Sequence, residues 1–146
     1  MRFWDSSAIV PMVIEEDSTP TTTAEYEADT AMIVWWATEV ECVSALARLE
    51  REARLGGPEV TAGFNRLAAL ARAWQEIQPA ARIRQTASRL LRVHALRAAD
   101  AFQLAAAISA AEEVPSSLQM VTLDLRLAQA AEREGFNVVV PFVASR

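Results

Sequence analysis

Four acidic residues, far apart in the chain, lie where a carboxylate group could take part in catalysis. Asp5 and Asp124 each follow a short apolar stretch, whereas Glu41 and Asp100 lie in the first turns of predicted helices. Carboxylate oxygens are the preferred ligands of hard divalent cations such as Mg²⁺ and Mn²⁺. A cation of this kind can activate water and stabilise the charge that develops on a phosphodiester during in-line displacement. The four acids are therefore candidate ligands of a catalytic metal ion.

The elements that must position these acids alternate along the chain between strands and helices. Four apolar segments are predicted strands: residues 1–4, 31–36, 118–122 and 136–140. Helices are predicted at residues 18–29, 38–55, 61–76, 98–113 and 124–134, with a further helix beginning at Pro79. The apolar residues 8–14 and the acidic residues 15–17 are assigned to neither class. Strands separated by helices predict an α/β fold of three layers, with a mostly parallel central sheet of about four to five strands.

This fold predicts that the acids converge. Ligands of parallel α/β sheets bind beyond the carboxyl ends of the strands. Asp5 follows the first predicted strand, Glu41 begins the helix after the second, and Asp124 follows the third, while Asp100 opens an alanine-rich helix. Carboxylates gathered at one sheet edge repel one another and raise some of their pKa values, and a bound cation relieves that repulsion.

Each acid also has a purely structural explanation. Thr38 and Glu41 have the spacing of a capping box, in which Glu41 satisfies the start of a helix. Asp100 and Asp124 could act only through the helix macrodipole, and Asp5 could belong to a turn that leaves a strand. For any one residue alone the structural explanation is favoured. The functional interpretation depends on all four acids reaching the same edge.

Four motifs in series resemble those of PIN-domain nucleases, and most closely those of the VapC-type toxins of bacterial toxin–antitoxin pairs. The motifs are DSSA at residues 5–8, TEVECVSAL at residues 38–46, LRAADAFQLAAA at residues 96–107 and TLDLRL at residues 122–127. They occur in the family's order and span nearly the whole chain. One departure is Gln103, which stands where the family often has histidine.

The resemblance implies a single PIN-like domain over residues 1–146 that acts as a Mg²⁺- or Mn²⁺-dependent endoribonuclease. It also implies a small cognate antitoxin that blocks the acidic pocket, and a homodimer. By analogy, Asp5, Asp100 and Asp124 hold the metal directly or through water, and Glu41 holds it or orients the attacking water. Ser7 and Thr122 are expected to bond a carboxylate or the scissile phosphate.

Composition is consistent with a cytoplasmic protein that lacks a membrane anchor. The chain has 146 residues, of which 52% are hydrophobic, and no apolar run reaches the length of a membrane-spanning helix. No secretory signal is visible at the start of the sequence, where Asp5 interrupts the apolar residues. Cys42 is the only cysteine and lies in an apolar helical pattern, so we expect a buried, unreactive thiol in a reducing compartment.

The charge of the chain opposes nucleic-acid binding in general. The formal net charge is −5, and every basic residue is an arginine. An RNA substrate would therefore have to be attracted by metal ions and by a local arginine patch. Arg82, Arg89 and Arg92 fall on one face of a predicted helix, with Arg97 just beyond it. A solvated helix face is the default interpretation of this pattern, and contact with RNA phosphates is the alternative.

The aromatic residues and the single histidine are assigned structural roles. Trp4, Trp35 and Trp36 belong to segments that read as buried strands, so we expect them in the core or in an interface. His94 is expected at the surface or in a loop, because one histidine cannot form a histidine-based metal site.

Two other functions fit parts of the pattern. A Mg²⁺-dependent phosphoryl-transfer domain would also place aspartates at strand ends, but such domains use a lysine near the phosphoryl group and this chain has none. A PIN-like scaffold that has lost catalysis and serves as a protein-binding module is the other alternative. Retention of all four acids counts against the scaffold, because no structural need calls for the complete set.

Overall fold

The computed structural model describes residues 1–142, which form a central sheet covered by helices on both faces. The strands within this range are β1 (Arg2–Trp4), β2 (Met32–Trp35), β3 (Gln75–Ile77), β4 (Gln119–Val121) and β5 (Asn137–Val139). The α-helices are α1 (Ser6–Val13), α2 (Thr19–Ala28), α3 (Thr38–Arg51), α4 (Gly57–Ala73), α5 (Ala81–Val93), α6 (Ala98–Ala110) and α7 (Leu125–Arg133). A single turn of 3-10 helix, Pro115–Ser117, precedes β4.

The strands lie in the order β3-β2-β1-β4-β5, and each neighbouring pair is parallel. At the centre of the sheet, Phe3 of β1 is in register with Ile33 of β2 and with Met120 of β4. The three-layer α/β fold predicted from the sequence is therefore confirmed. Because β1 is flanked by β2 and β4, the carboxyl ends of these three strands meet at the middle of one sheet edge.

Alternating side chains of the three central strands enter two separate cores, as the period of a β-strand requires. Phe3 belongs to the core beneath α5, α6 and α7, whereas the next residue, Trp4, belongs to the core beneath α1, α3 and α4. Met120 and Val121 divide in the same way. The central strands are thus anchored on both faces, and the loops that leave their carboxyl ends are held in place.

Three sequence assignments need correction. The helix expected over residues 61–76 ends at Ala73, and Gln75–Ile77 forms an edge strand that was not predicted. The Gly56-Gly57-Pro58 segment begins α4 and does not merely end α3, since Gly56 is the N-cap and the proline lies in the first turn. The apolar residues 8–14, which the sequence assigns to neither class, lie in α1 up to Val13, and this helix accommodates Pro11 in its interior.

Two of the three tryptophans lie in the core, which is one of the two expected positions. Trp4 is fully buried, and Trp35 is buried and stacks on Phe102 with ring centroids 5.6 Å apart. Trp36 is 52% exposed, so it does not belong to the core, and its alternative placement in an interface stays a prediction. The reason is that β2 ends at Trp35 and the chain turns toward α3 before the side chain of Trp36 can enter either core.

His94 lies in the connection between α5 and α6, so the expected loop position is confirmed and the expected surface position is not. The residue caps the end of α5 but is buried, and its Nε2 atom lies 2.7 Å from a carboxylate oxygen of Glu134. Glu134 in turn accepts two hydrogen bonds from Arg89, at 3.1 and 2.9 Å. This ion-paired cluster links α5 to the end of α7.

Two predictions about the chain as a whole can be compared with the fold. Cys42 is fully buried as expected, and burial raises the pKa of its thiol to about 12, so the thiol stays protonated at neutral pH. Across residues 1–142, every helix is too short or too polar to cross a lipid bilayer.

Candidate active site

The four sequence-predicted acids come together at the middle of the carboxyl edge of the sheet. Asp5 follows β1, Glu41 lies in the first turn of α3 after β2, Asp100 lies in the first turn of α6, and Asp124 follows β4. A cavity of about 510 Å³ opens between these elements. The residues that line it are Ser6, Glu41, Arg97, Ala99, Asp100, Asp124, Leu125 and Arg126. Asp5 is buried beside this cavity and close enough to Glu41 and Asp100 for their charges to interact.

Asp5 is held by one hydroxyl group from the first turn of α1 and one from the loop after β4. Its Oδ2 atom accepts hydrogen bonds from the hydroxyl of Ser7 and, at 2.9 Å, from the hydroxyl of Thr122. The same two hydroxyl oxygens accept from backbone N–H groups, that of Leu123 on Ser7 and that of Asp124 on Thr122. Ser7 and Thr122 therefore bond a carboxylate, one of the two roles proposed for them, and join the start of α1 to the loop after β4.

Burial and mutual repulsion act together on three of the acids. Burial raises the pKa of Asp5, and the charge of Glu41 adds to this effect against the hydrogen bonds from Ser7 and Thr122. Burial also raises the pKa of Glu41, with a further contribution from Asp100. The pKa of Asp100 is raised by burial and then by the charges of Asp124 and Asp5. The cavity is thus a place where negative charge is concentrated at a cost in stability.

Glu41 is free of the structural role that its spacing suggested. The capping box does not form, because the N-cap of α3 is Ala37 and makes no side-chain capping bond. The carboxylate of Glu41 instead accepts a 2.8 Å hydrogen bond from Nε2 of Gln103. Its position beside the cavity is therefore not explained by helix capping.

Asp124 does have a structural role in addition to its place at the cavity. Its Oδ1 atom caps α7 by accepting from the backbone N–H groups of Arg126 and Leu127, at 2.9 and 3.1 Å. Its other oxygen, Oδ2, has no hydrogen-bond partner within the part of the chain that the structure describes. Asp5 likewise caps α1 through the N–H of Ser7. Helix capping leaves the second oxygen of Asp124 available to a ligand.

The carboxylate oxygens of the four acids suit a hard cation, but the side chains do not converge on one point where an ion could bind all of them directly. Within residues 1–142, no three Asp, Glu, His or Cys side chains lie close enough together to hold a metal ion as they stand. Protein donors hold Asp5, Glu41 and Asp124 in place, and repulsion between like charges disfavours a closer approach of the carboxylates in the absence of a cation. Mg²⁺ commonly keeps several waters and binds only one or two carboxylates directly. The residues therefore fit such an ion if some of the acids bind it through water.

The fold separates the four arginines that were candidate RNA contacts. Arg97 lines the cavity, whereas Arg82 pairs with Glu113 at 3.2 Å and Arg89 pairs with Glu134. Arg92 is exposed on α5, beside Arg89 and away from the residues that line the cavity. The structure thus brings one of the four candidate RNA contacts, Arg97, to the acids, and the other three do not line the cavity.

Three residues of the site were not identified from the sequence. Ser6 and Arg126 line the cavity beside Asp5 and Asp124, and Gln103 contacts Glu41 from within the protein. Adjacency to a predicted acid was the available signal for Ser6 and Arg126. For Gln103 the signal was its position three residues after Asp100, which places both side chains on one face of α6.

Fold and site together define an α/β domain with an acidic cavity at the carboxyl edge of a parallel sheet. The fold is that of two solved structures. FitAcB from Neisseria gonorrhoeae matches with a TM-score of 0.67 and 18% sequence identity, over 97% of this chain and 98% of that one. FitAB bound to the IR36 DNA fragment matches with a TM-score of 0.68 and 16% identity, over 100% of this chain and 99% of that one. No family model matches the sequence, and no curated protein sequence is similar enough to match it.

Proposed function

We propose that this protein is a metal-dependent endoribonuclease and the toxin component of a toxin–antitoxin pair. The observation that carries the proposal is that Glu41, Asp100 and Asp124 line one cavity and Asp5 is buried beside it, although the four acids come from separate parts of the chain. Three of these acids have raised pKa values because they are buried near one another. A divalent cation removes the repulsion that this arrangement creates.

Each acid has a proposed role in holding the ion and the water that attacks RNA. Asp5, Asp100 and Asp124 hold Mg²⁺, or Mn²⁺ in its place, directly or through water, and Glu41 binds the ion or orients the attacking water. When bound, the ion supplies a more acidic water molecule and neutralises charge on the scissile phosphodiester. Thr122 supports this arrangement from behind, since its hydroxyl fixes the Asp5 carboxylate and also accepts from the N–H of Asp124.

Positive charge for the RNA backbone is proposed to come from the rim of the cavity. Arg97 and Arg126 are exposed there, and neither forms an ion pair within 4.0 Å in residues 1–142 although carboxylates line the same cavity. Guanidinium groups in this position can bind the phosphates that flank the scissile bond. Such local contacts are required because the chain as a whole has a formal net charge of −5.

The proposed partner is a small antitoxin that binds DNA. A neighbour in fold, FitAB, was solved bound to a DNA fragment, and the match covers this whole chain. A toxin held by a DNA-binding antitoxin would occur in an assembly of this kind. By the same analogy, we propose a homodimer and a cytoplasmic location.

One observation favours a second function, that of a catalytically inactive scaffold. Asp5 and Asp124 already serve as helix caps, and among the described residues no three candidate ligands are within reach of one ion. A scaffold would keep these two acids for capping alone. It would give no reason for Glu41, whose side chain caps no helix, and it would not explain why Glu41 and Asp100 both lie near other negative charges.

Cleavage of RNA by purified protein separates the two functions. Wild type is expected to cut a mixed RNA substrate with Mg²⁺ or Mn²⁺ and to stop in EDTA. Asp100→Asn should lower the rate at least about 100-fold, since even outer contacts of a metal site change activity by 10–100-fold. Asp17→Asn is a matched control, because Asp17 is exposed and outside the cavity. Equal, EDTA-resistant cleavage by wild type and Asp100→Asn, or no cleavage by wild type, would reject the nuclease.

A further inference from the structure

Gln103 is a buried polar residue in an otherwise apolar part of α6. The other buried residues of this helix are alanine, leucine or isoleucine, whereas the side chain of Gln103 is 1% exposed. Both N–H bonds of its amide are directed at α3, since Nε2 lies 2.8 Å from Oε2 of Glu41 and 3.0 Å from Oγ1 of Thr38. The amide therefore joins the second turn of α6 to the first turn of α3, and each of these helices carries one of the acids at the cavity.

The contacts of Gln103 are a poor way to stabilise a core. Its amide oxygen, Oε1, is buried without a hydrogen-bond partner in the part of the chain that the structure describes. A buried acceptor without a donor is destabilising, and an apolar side chain of similar size would avoid that cost. The two hydrogen bonds that the amide donates to Glu41 and Thr38 therefore explain its presence better than packing does.

The orientation of the amide follows from the charge of Glu41. If the amide were turned over, its oxygen would face the carboxylate oxygen at 2.8 Å, and the two acceptors would repel each other while Glu41 is ionised. With Nε2 in that position, the hydrogen bond favours the ionised carboxylate and fixes its direction. Thr38 accepts the second N–H group and so prevents the amide from rotating.

We propose that Gln103 is a positioning residue that holds the Glu41 carboxylate at the cavity for metal binding. This inference rests on the proposed nuclease function. Asp100 and Gln103 are three residues apart on α6, so the helix that carries one acid also sets the direction of another. The metal site is thereby prepared before an ion arrives, and Gln103 acts on it only through Glu41.

A double-mutant cycle with the full chain tests whether Gln103 acts through Glu41. Gln103→Met keeps the length of the side chain and removes both N–H donors, and methionine is tolerated in apolar surroundings. Mn²⁺ binding is measured by calorimetry for wild type, Gln103→Met, Glu41→Gln and the double variant. Because Gln103 is proposed to orient a metal ligand, Gln103→Met alone is expected to weaken Mn²⁺ affinity about tenfold relative to wild type. In the Glu41→Gln background we expect a change of less than about twofold, because the carboxylate to be held is already absent.

Two further variants separate positioning from packing. Gln103→His can donate one hydrogen bond to Glu41 and is expected to restore most of the Mn²⁺ affinity, whereas Gln103→Met is not. Gln129→Leu is the control, since Gln129 is exposed on α7, and it should leave Mn²⁺ affinity unchanged. Circular dichroism and thermal unfolding establish that all variants compared are folded.

The outcomes distinguish this inference from the proposed function. An equal loss of Mn²⁺ affinity in both backgrounds, or no loss from Gln103→Met in wild type, would overturn the role of Gln103 while metal-dependent cleavage by wild type stands. Failure of wild type to bind Mn²⁺ and to cleave RNA would overturn the proposed function and the role of Gln103 with it.

Discussion

The hydroxyl of Thr122 lies 2.9 Å from the Asp5 carboxylate, although the two residues are 117 positions apart in the chain. The same hydroxyl accepts the backbone N–H of Asp124 at 3.0 Å. A single oxygen thus joins the loops that follow β1 and β4, which carry two of the four acids of the candidate site. The distance between those acids depends on this contact as well as on the pairing of the two strands.

Thr122→Val tests the importance of this contact. Valine has nearly the same shape but leaves Oδ2 of Asp5 with one hydroxyl donor fewer and the N–H of Asp124 without its acceptor. Loss of a buried hydrogen-bond partner is expected to lower the free energy of unfolding by about 1–3 kcal/mol. Urea denaturation measures this change. Thr23→Val is the control, since Thr23 makes no side-chain hydrogen bond among residues 1–142, and it should change stability by less than about 0.5 kcal/mol. Equal effects of the two substitutions would contradict the prediction.

Asp100→Asn should stabilise the metal-free protein, and the gain should grow as pH rises. The folded protein raises the pKa of Asp100 through burial and through the charges of Asp124 and Asp5, so folding favours the protonated form. The folded state then binds more protons than the unfolded state above the ordinary pKa of aspartate, and stability falls as pH increases through the raised pKa. Asparagine carries no charge and avoids this loss.

The measurement is urea denaturation in EDTA between about pH 4 and pH 8. The difference between Asp100→Asn and wild type should be smallest at the acidic end and reach at most about 1 kcal/mol at neutral pH, because water screens a half-exposed charge. Mn²⁺ should reverse the order by stabilising wild type more than the variant, since ligand that binds only the folded state adds stability. A variant less stable than wild type in EDTA at pH 8 would show that Asp100 is not repelled by its neighbours.

The sequence predicts the acids of the site better than it predicts the residues that hold them. Asp5 and Asp124 follow strands whose side chains are buried on both faces of the sheet. Because both cores require apolar residues, such strands appear in a single sequence as continuous apolar runs. Glu41 and Asp100 open helices next to the same edge. Gln103 was missed as a site residue because its polar side chain has a partner only when α6 lies beside the first turn of α3.

The missed strand has a similar physical cause. β3 lies at the edge of the sheet, pairs only with β2, and is formed by Gln75, Glu76 and Ile77. An edge strand needs few apolar residues, so these three resemble the end of the preceding helix when read without their partner strand. Tertiary pairing decides the structure of such a segment, and the sequence around it carries little local signal.

Glu134→Gln should weaken the fold at neutral pH without changing the site. Hydrogen bonds from Arg89, and then from His94, lower the pKa of Glu134. A lowered pKa means that the stabilisation is present above the unfolded pKa, near pH 4.5, and is lost as pH falls through the folded value. The expected loss at pH 7 is about 1 kcal/mol, since Arg89 is half exposed and its pairing is screened.

Thermal or urea unfolding at pH 7 and at about pH 3.5 checks this prediction, because the difference between variant and wild type should shrink at the lower pH. RNA cleavage at neutral pH should be unchanged, since Glu134 is not among the residues that line the cavity. A stability difference that is the same at both pH values would mean that the charge of Glu134 contributes nothing.

Substitution of the two arginines at the cavity should weaken RNA binding in a salt-dependent manner. Arg97 and Arg126 are exposed beside the acids without ion-pair partners in the described part of the chain, whereas Arg133 lies at the opposite end of the helix that carries Arg126. Each contact with a single-stranded phosphate contributes about 0.7 to the slope of log affinity against log salt concentration. Fluorescence anisotropy with a labelled RNA in EDTA, from low to moderate salt, measures this slope without cleavage. Arg97→Gln and Arg126→Gln should each lower it by about 0.7, and Arg133→Gln should leave it unchanged. If all three variants bind RNA alike at every salt concentration, RNA does not bind at the rim of the cavity. That result would contradict RNA as the substrate of the neighbouring acids.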